Sequence, residues 1–142
     1  MQIVPFSESI VRTYFSHMKN LSSQLPDEYW EEEHYLKDLP GKWELSFVLL
    51  HDGKLAGFSM SSLTNNSVHI NRIVIAAEHQ RTGAGALLMK LNEENAKLQN
   101  REGVTLKVHI SNKEAINWYL KKEFLIISTD GNYHLMKKLI AS

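Results

Sequence analysis

The sequence predicts a mixed α/β fold on one central mixed sheet, with elements in the order β-α-α-β-β-β-α-β-α-β-β. Three observations lead there. Residues 43–75 hold apolar, β-rich runs separated by turn residues, which read as an antiparallel meander. From Gly83 the apolar residues recur at helical spacing instead. The strand–helix–strand unit this creates over residues 68–110 requires a parallel, right-handed crossover.

Gln2 to Val4 reads as a short first strand ended by Pro5. Ser7 can cap the helix that follows, in which Ile10, Val11, Tyr14, Phe15 and Met18 share one stripe. Pro26 suits the first turn of a second helix, with Asp27 and Glu28 beside the positive end of its dipole. That helix is expected to run to about Leu39 and stop before Pro40-Gly41. Trp43 to Leu50 and Leu55 to Leu63 are the next strands, joined by a turn whose Asp52-Gly53 pair signals a hairpin. Thr64 to Ser67 turns the chain into Val68 to Ile75. Leu87, Leu88, Leu91 and Leu98 mark a helix from Gly83 to about Gln99, and Val104 to Ile110 follows as a strand. Ser111-Asn112-Lys113-Glu114 matches a capping box with Ser111 as the cap, opening a short helix striped by Ala115, Ile116, Tyr119 and Leu120. Phe124 to Ser128 and Tyr133 to Leu139 are the last two strands, turned by Asp130-Gly131.

At 142 residues, with no repeat, low-complexity segment or Pro/Gly/Ser-rich linker, the chain is expected to be one domain over 1–142. Sixteen Lys plus Arg balance 16 Asp plus Glu, and a chain without a basic excess is not expected to bind nucleic acid. The absence of Cys excludes disulfides, thiolate metal sites and a cysteine nucleophile. The longest apolar runs, Phe47 to Leu50 and Ile73 to Ala77, fall far short of the ~20 residues of a membrane span. No signal peptide is visible at MQIVPFSESI, so a soluble cytoplasmic protein with no membrane partner is expected.

The stretch His69 to Gly85 carries the chemistry. A strand leads into a loop, Gln80-Arg81-Thr82-Gly83-Ala84-Gly85, that opens a helix. A helix start leaves four backbone N–H groups without partners beside a partial positive charge. Gly83 and Gly85 lack a Cβ, so an anion such as a phosphate or diphosphate can reach those groups, and Arg81 can add a charge contact. The same glycines also fit a tight strand–helix turn needed only for packing. A P-loop is excluded because Ala86-Leu87 follow Gly85. A dinucleotide fingerprint is excluded because the third glycine is missing and an antiparallel meander precedes the loop.

On these residues the sequence resembles the GNAT superfamily of acyl-CoA-dependent N-acetyltransferases, over nearly the whole chain. The resemblance implies that Gln80, Arg81, Thr82, Gly83, Ala84 and Gly85 cradle the diphosphate of coenzyme A. It implies a bulged preceding strand, with Ile73, Val74 and Ile75 bonding the pantetheine arm. A second motif, Asn-x-x-Ala-x-x-x-Tyr, stands as Asn112, Ala115 and Tyr119. By the resemblance Asn112 binds the cofactor arm and Tyr119 protonates the departing thiolate. A tyrosine hydroxyl with a reference pKa of ~10 is protonated at neutral pH and can act as an acid. Without the resemblance, Asn112 also reads as a helix cap and Tyr119 as core. Two departures stand out. Ala77 occupies a position where the family often has Pro. Glu123 replaces a glycine before Phe124, which removes an easy left-handed cap and predicts a different exit from that helix.

The expected reaction is direct transfer of an acetyl group from acetyl-CoA to a primary amine, on a small molecule or a peptide, without a metal. The other reading is a catalytically silent acyl-CoA-binding module. Transfer needs a neutral amine, so a base must take its proton directly or through water. By the resemblance the base position falls on His69, with Asn71 two residues on; His109 is the second candidate and water the third. The seven His are scattered, with no metal-ligand spacing. Glu31-Glu32-Glu33 either attracts a cationic acceptor or forms a solvated helix face. Pairing of two protomers is a family habit that these residues do not decide.

Overall fold

The computed structural model describes residues 1–23, 25 and 30–140. Their elements are β1 (Gln2–Pro5), α1 (Glu8–Ser22), α2 (Glu32–Leu36), α3 (Lys42–Leu45), β2 (Phe47–His51), β3 (Lys54–Leu63) and β4 (Ser67–Ile75), then α4 (Ala84–Leu98), β5 (Gly103–His109), α5 (Lys113–Lys121), β6 (Leu125–Asp130) and β7 (Tyr133–Leu139). The described strands form one seven-stranded sheet in the order β1-β2-β3-β4-β5-β7-β6. Only β4 and β5 run parallel, with α4 as the crossover between them.

Alternation along the strands sends side chains to two faces. On one, Phe6, Val11, Met18 and Tyr35 pack with Val48, Phe58, Met60 and Val74. On the other, Leu49, Ala84 and Leu88 pack with Ile73 and Ile75, while Met89, Ile116 and Tyr119 pack with Ile70, Leu106 and Val108. Ser7 caps α1, its Oγ accepting the Ile10 N–H at 3.1 Å. The hairpin turn takes positive φ at both Asp52 and Gly53, the geometry that matches strand twist.

A buried polar knot ties α4 to the sheet. Asn92 donates to Ser59 Oγ (3.0 Å) and the Leu88 carbonyl (2.9 Å), and its Oδ1 accepts from the Ser61 hydroxyl (2.6 Å). Ser46 Oγ accepts the Ser61 N–H at 3.0 Å.

The second helix is much shorter than expected. Residues 26–29 of that expectation lie outside the described ones, Trp30 is not helical, and the helix spans only Glu32–Leu36. It starts where His34 Nδ1 accepts the Glu31 N–H at 2.9 Å. It ends because Lys42, fully buried, donates its Nζ protons to the carbonyls of Tyr35 and Lys37, and because Pro40 disfavours helix before it. The Lys42 ammonium also sits 4.3 Å from the centre of the Trp43 ring. Burial pushes its pKa down to about 8, against a smaller upward pull from Asp38. Residues 42–45 form a helical turn from left-handed Gly41, so the strand expected from Trp43 starts at Phe47.

Candidate active site

β4 and β5 pair only from Ser67 opposite Gly103 to Ile70 opposite Leu106, yet β4 continues to Ile75 and β5 to His109. The cause lies on the other side of β4. Met60 pairs with Arg72 and Ser61 with Ile70, which leaves Asn71 as an extra residue. Such a bulge bends its strand. Beyond it β4 follows β3 while β5 follows β7, and a fork opens. The cleft in the fork measures about 880 Å³, within the usual ligand-site range of roughly 300–1,000 Å³. Ile73, Val74 and Ile75 line one wall, and Lys107, Val108 and His109 the other.

The loop Gln80 to Gly85 lies at the mouth of this cleft. Gln80 Nε2 donates to the Ile75 carbonyl at 3.2 Å, pinning the loop to the strand end, and the Thr82 hydroxyl donates to the His79 carbonyl at 2.5 Å. Gly83, at φ +91°, caps α4 without any side-chain bond. The first helical bond is Leu87 N–H to the Gly83 carbonyl (3.0 Å), so the N–H groups of residues 83–86 have no acceptor within the helix. A Cβ at Gly83 would meet nothing, while one at Gly85 would stand 3.3 Å from Trp118 Cζ2. Gly83 therefore meets a conformational need, and Gly85 keeps the mouth clear against α5. A bare helix start and close backbone access fit a diphosphate. Gln80, Arg81, Gly83 and Gly85 line the cleft; Thr82 and buried Ala84 do not.

α5 closes the far side. Asn112 caps it, its Oδ1 accepting the Ala115 N–H at 3.3 Å, so the expected cap at Ser111 is displaced by one residue. Ser111 Oγ lies instead 2.7 Å from His109 Nδ1. Asn112 and Tyr119 both line the cleft. Tyr119 is located by the exit of its helix. Glu123 N–H donates to the Leu120 carbonyl and Phe124 N–H to the Tyr119 carbonyl, both at 3.0 Å, and the Phe124 ring packs 5.8 Å from that of Tyr119. This is the left-handed exit a glycine would give, adopted here by Glu123 at φ +74°. The different exit predicted from Glu123 does not occur.

His69 does not line the cleft. It falls opposite Thr105, where β4 and β5 still pair, and its Nδ1 bonds Thr105 Oγ1 at 2.8 Å. Burial, then Lys107, lowers its pKa. His109 lines the cleft, but its Nδ1 accepts the Ser111 N–H at 3.1 Å, which puts the proton of the neutral ring on Nε2. Glu31 and Glu32 pair with Lys19 (3.5 Å) and Arg12 (3.3 Å) of α1, and none of the three glutamates lines the cleft. Sequence reading missed Arg72. Its bulged neighbour sets it on the same face as Val74, 3% exposed, with its guanidinium carbon 4.1 Å from the centre of the Trp30 ring. No metal-binding group of His, Asp or Glu exists among the described residues. Among the same residues, no helix is long and apolar enough to cross a membrane.

A forked mixed sheet with a bare helix start at the fork defines the acyl-CoA-dependent acyltransferase class of fold. Residues 9–124 match the model of the acetyltransferase (GNAT) family, and the chain belongs to that family. Membership makes it an acetyl-CoA-dependent N-acetyltransferase. Similar solved structures include Ard1 from Thermoplasma volcanium, at 24% identity and TM-score 0.81 over 99% of this chain and 98% of that one. The ribosomal-protein-S18-alanine N-acetyltransferase of Escherichia coli is similar at 19% identity and TM-score 0.79, over 99% and 94%. The PaiA N-acetyltransferase of Thermoplasma acidophilum, solved in complex with coenzyme A, is similar at 20% identity and TM-score 0.74, over 97% and 98%. These are likenesses of fold. No curated protein matches the chain in sequence.

Proposed function

We propose that the chain moves an acetyl group from acetyl-CoA to a primary amine by direct attack, with Gln80, Arg81 and the amides from Gly83 to Gly85 holding the diphosphate. The observation that carries this is the fork, which opens beside those amides and leaves backbone groups of Ile73–Ile75 unmatched by β5. Those groups hold the pantetheine arm, and Asn112, its Oδ1 engaged as a cap, offers Nδ2 to the same arm. A backbone N–H in the fork polarises the thioester carbonyl. The amine nitrogen bonds the carbonyl carbon, the carbon–sulfur bond breaks, and Tyr119 gives the thiolate its proton.

The amine must shed one proton. His69 stands outside the cleft, and His109 engages its Nδ1 lone pair with the Ser111 N–H, so water takes the proton and solvent returns one to Tyr119. A peptide or protein amine heads the acceptors, because the E. coli neighbour is named for the alanine of a ribosomal protein.

The test is release of thiol from acetyl-CoA across a panel of amines, with the product identified by mass. Acetylated product is expected, with a pH–rate profile that follows the amine and survives His109→Gln within a few-fold. Binding of coenzyme A without turnover on any amine would instead favour the silent module.

A further inference from the structure

Asn71 is the extra residue of the β4 bulge, and it lines the cleft beside the point where the strands part. Its Oδ1 accepts the Ser62 hydroxyl at 2.8 Å, from the neighbouring strand. In this arrangement Nδ2 is the end of the amide left toward the cleft. Nδ2, with two N–H donors, has no hydrogen-bond partner among the described residues and is not sealed from solvent. An amide nitrogen has no basic lone pair, so Asn71 is no base; it can only donate there. Its useful ligand is an oxygen.

The charge of the cleft narrows the acceptor further. Among the described lining residues Arg72, Arg81, Lys107, Lys121 and Lys122 face a single carboxylate, Glu114. Arg81 is engaged by the diphosphate, and the cations that border the bulge, Arg72 and Lys107, disfavour a polycation there. With water as the base, the acceptor must already be partly neutral. An α-amine, with a reference pKa of about 8, meets that condition; an alkylamine near ~10.4 does so roughly 10²-fold less often.

We propose that Asn71, aimed by Ser62, reads the carbonyl oxygen next to the reactive amine, so the site takes α-amino-acyl acceptors such as the free N-terminus of a peptide. This rests on the transferase reading above. Asn71 binds the acceptor, and Ser62 is a positioning residue.

The full chain is assayed with acetyl-CoA and two probes: a pool of tripeptides carrying every standard residue first, and spermidine. The wild type is expected to favour the peptides by about 10²-fold in kcat/KM, from the difference in neutral amine. Asn71→Leu should lower kcat/KM for peptides about fivefold to tenfold, the share of one hydrogen bond, through acceptor KM and with KM for acetyl-CoA unchanged. Asn71→Asp should lower it for peptides and raise it for spermidine, a crossing that mere misfolding cannot produce. Ser62→Ala should reproduce part of the Asn71→Leu loss, and Ser62→Thr should restore it. Equal use of spermidine and peptides by the wild type would overturn the proposal. So would an Asn71→Leu enzyme with unchanged peptide kinetics, or one whose losses fall alike on both acceptors and on acetyl-CoA. In those cases the transferase reading stands. A wild type that acetylates neither probe nor any amine of the wider panel would sink both.

Discussion

On the donor side of the cleft the groups offered to a ligand are backbone amides, at Gly83–Gly85 and along the opened edge of β4. On the proposed acceptor side it is a side chain, Asn71 of the bulge, with Arg72 next to it held under Trp30. The difference teaches how the work is divided. Backbone amides recognise a constant ligand and tolerate most sequence change, provided the turn and its glycines hold. On the reading proposed above, side chains carry the choice of amine, and each depends on packing from elsewhere. Trp30 meets Tyr35 at 5.1 Å, and Lys42 holds the carbonyl of Tyr35.

Where the two sides meet, the largest effect is expected. Tyr119→Phe should lower kcat about 10²-fold, as loss of a general acid does. KM for both substrates should hold, because the ring stays against Phe124. Steady-state kinetics check this, and an unchanged kcat removes the acid role. Gly85→Val should act on the donor side alone. Its branched Cβ crowds Trp118 and the mouth of the cradle, weakening coenzyme A about tenfold or more by disturbing bonds to a charged group. Calorimetric titration with coenzyme A reads that loss.

Lys42 probes the acceptor side. Its folded-state pKa of about 8 lies below the 10.5 of an ordinary lysine. Between those values the unfolded chain binds the proton more readily, so this contribution to stability rises with pH and is lost as pH falls back through about 8. Against Lys42→Met, wild-type Tm should therefore gain as pH is raised from 8 toward 10; a constant difference would contradict the buried charge. The smallest effect is expected at Glu123→Gly. Relief of a left-handed non-glycine residue should stabilise the fold by about 1 kcal/mol in denaturant unfolding, with kinetics unchanged.

The donor side was legible because it is local. Gln80 to Gly85 lies in one unbroken stretch, and its glycines announce the conformation directly. Strand alternation, the Asp52-Gly53 hairpin and the parallel crossover were legible for the same reason. The acceptor side was not. His69 looked like a base because the alternation of β4 was readable, but the end of its pairing with β5, one residue further on, was not. The bulge at Asn71 exists only in the register between β3 and β4, and it sets Arg72 on the face opposite Ile70. The second helix was overread because its terminator, Lys42, acts through a side chain reaching back to carbonyls of an earlier segment.

Asn92 gives α4 a fixed rotational setting. It lies about two turns beyond Gly85, so the aim of the bare amides at the helix start is decided in the protein interior. If α4 rolled by about 20°, amides on its ~2.3 Å backbone cylinder would swing by roughly 0.8 Å, enough to break a hydrogen bond. The serine-clamped asparagine forbids that roll before any ligand arrives. Association then needs little rearrangement of the helix, and the ordering that a loose anion-binding loop would undergo during capture is already complete.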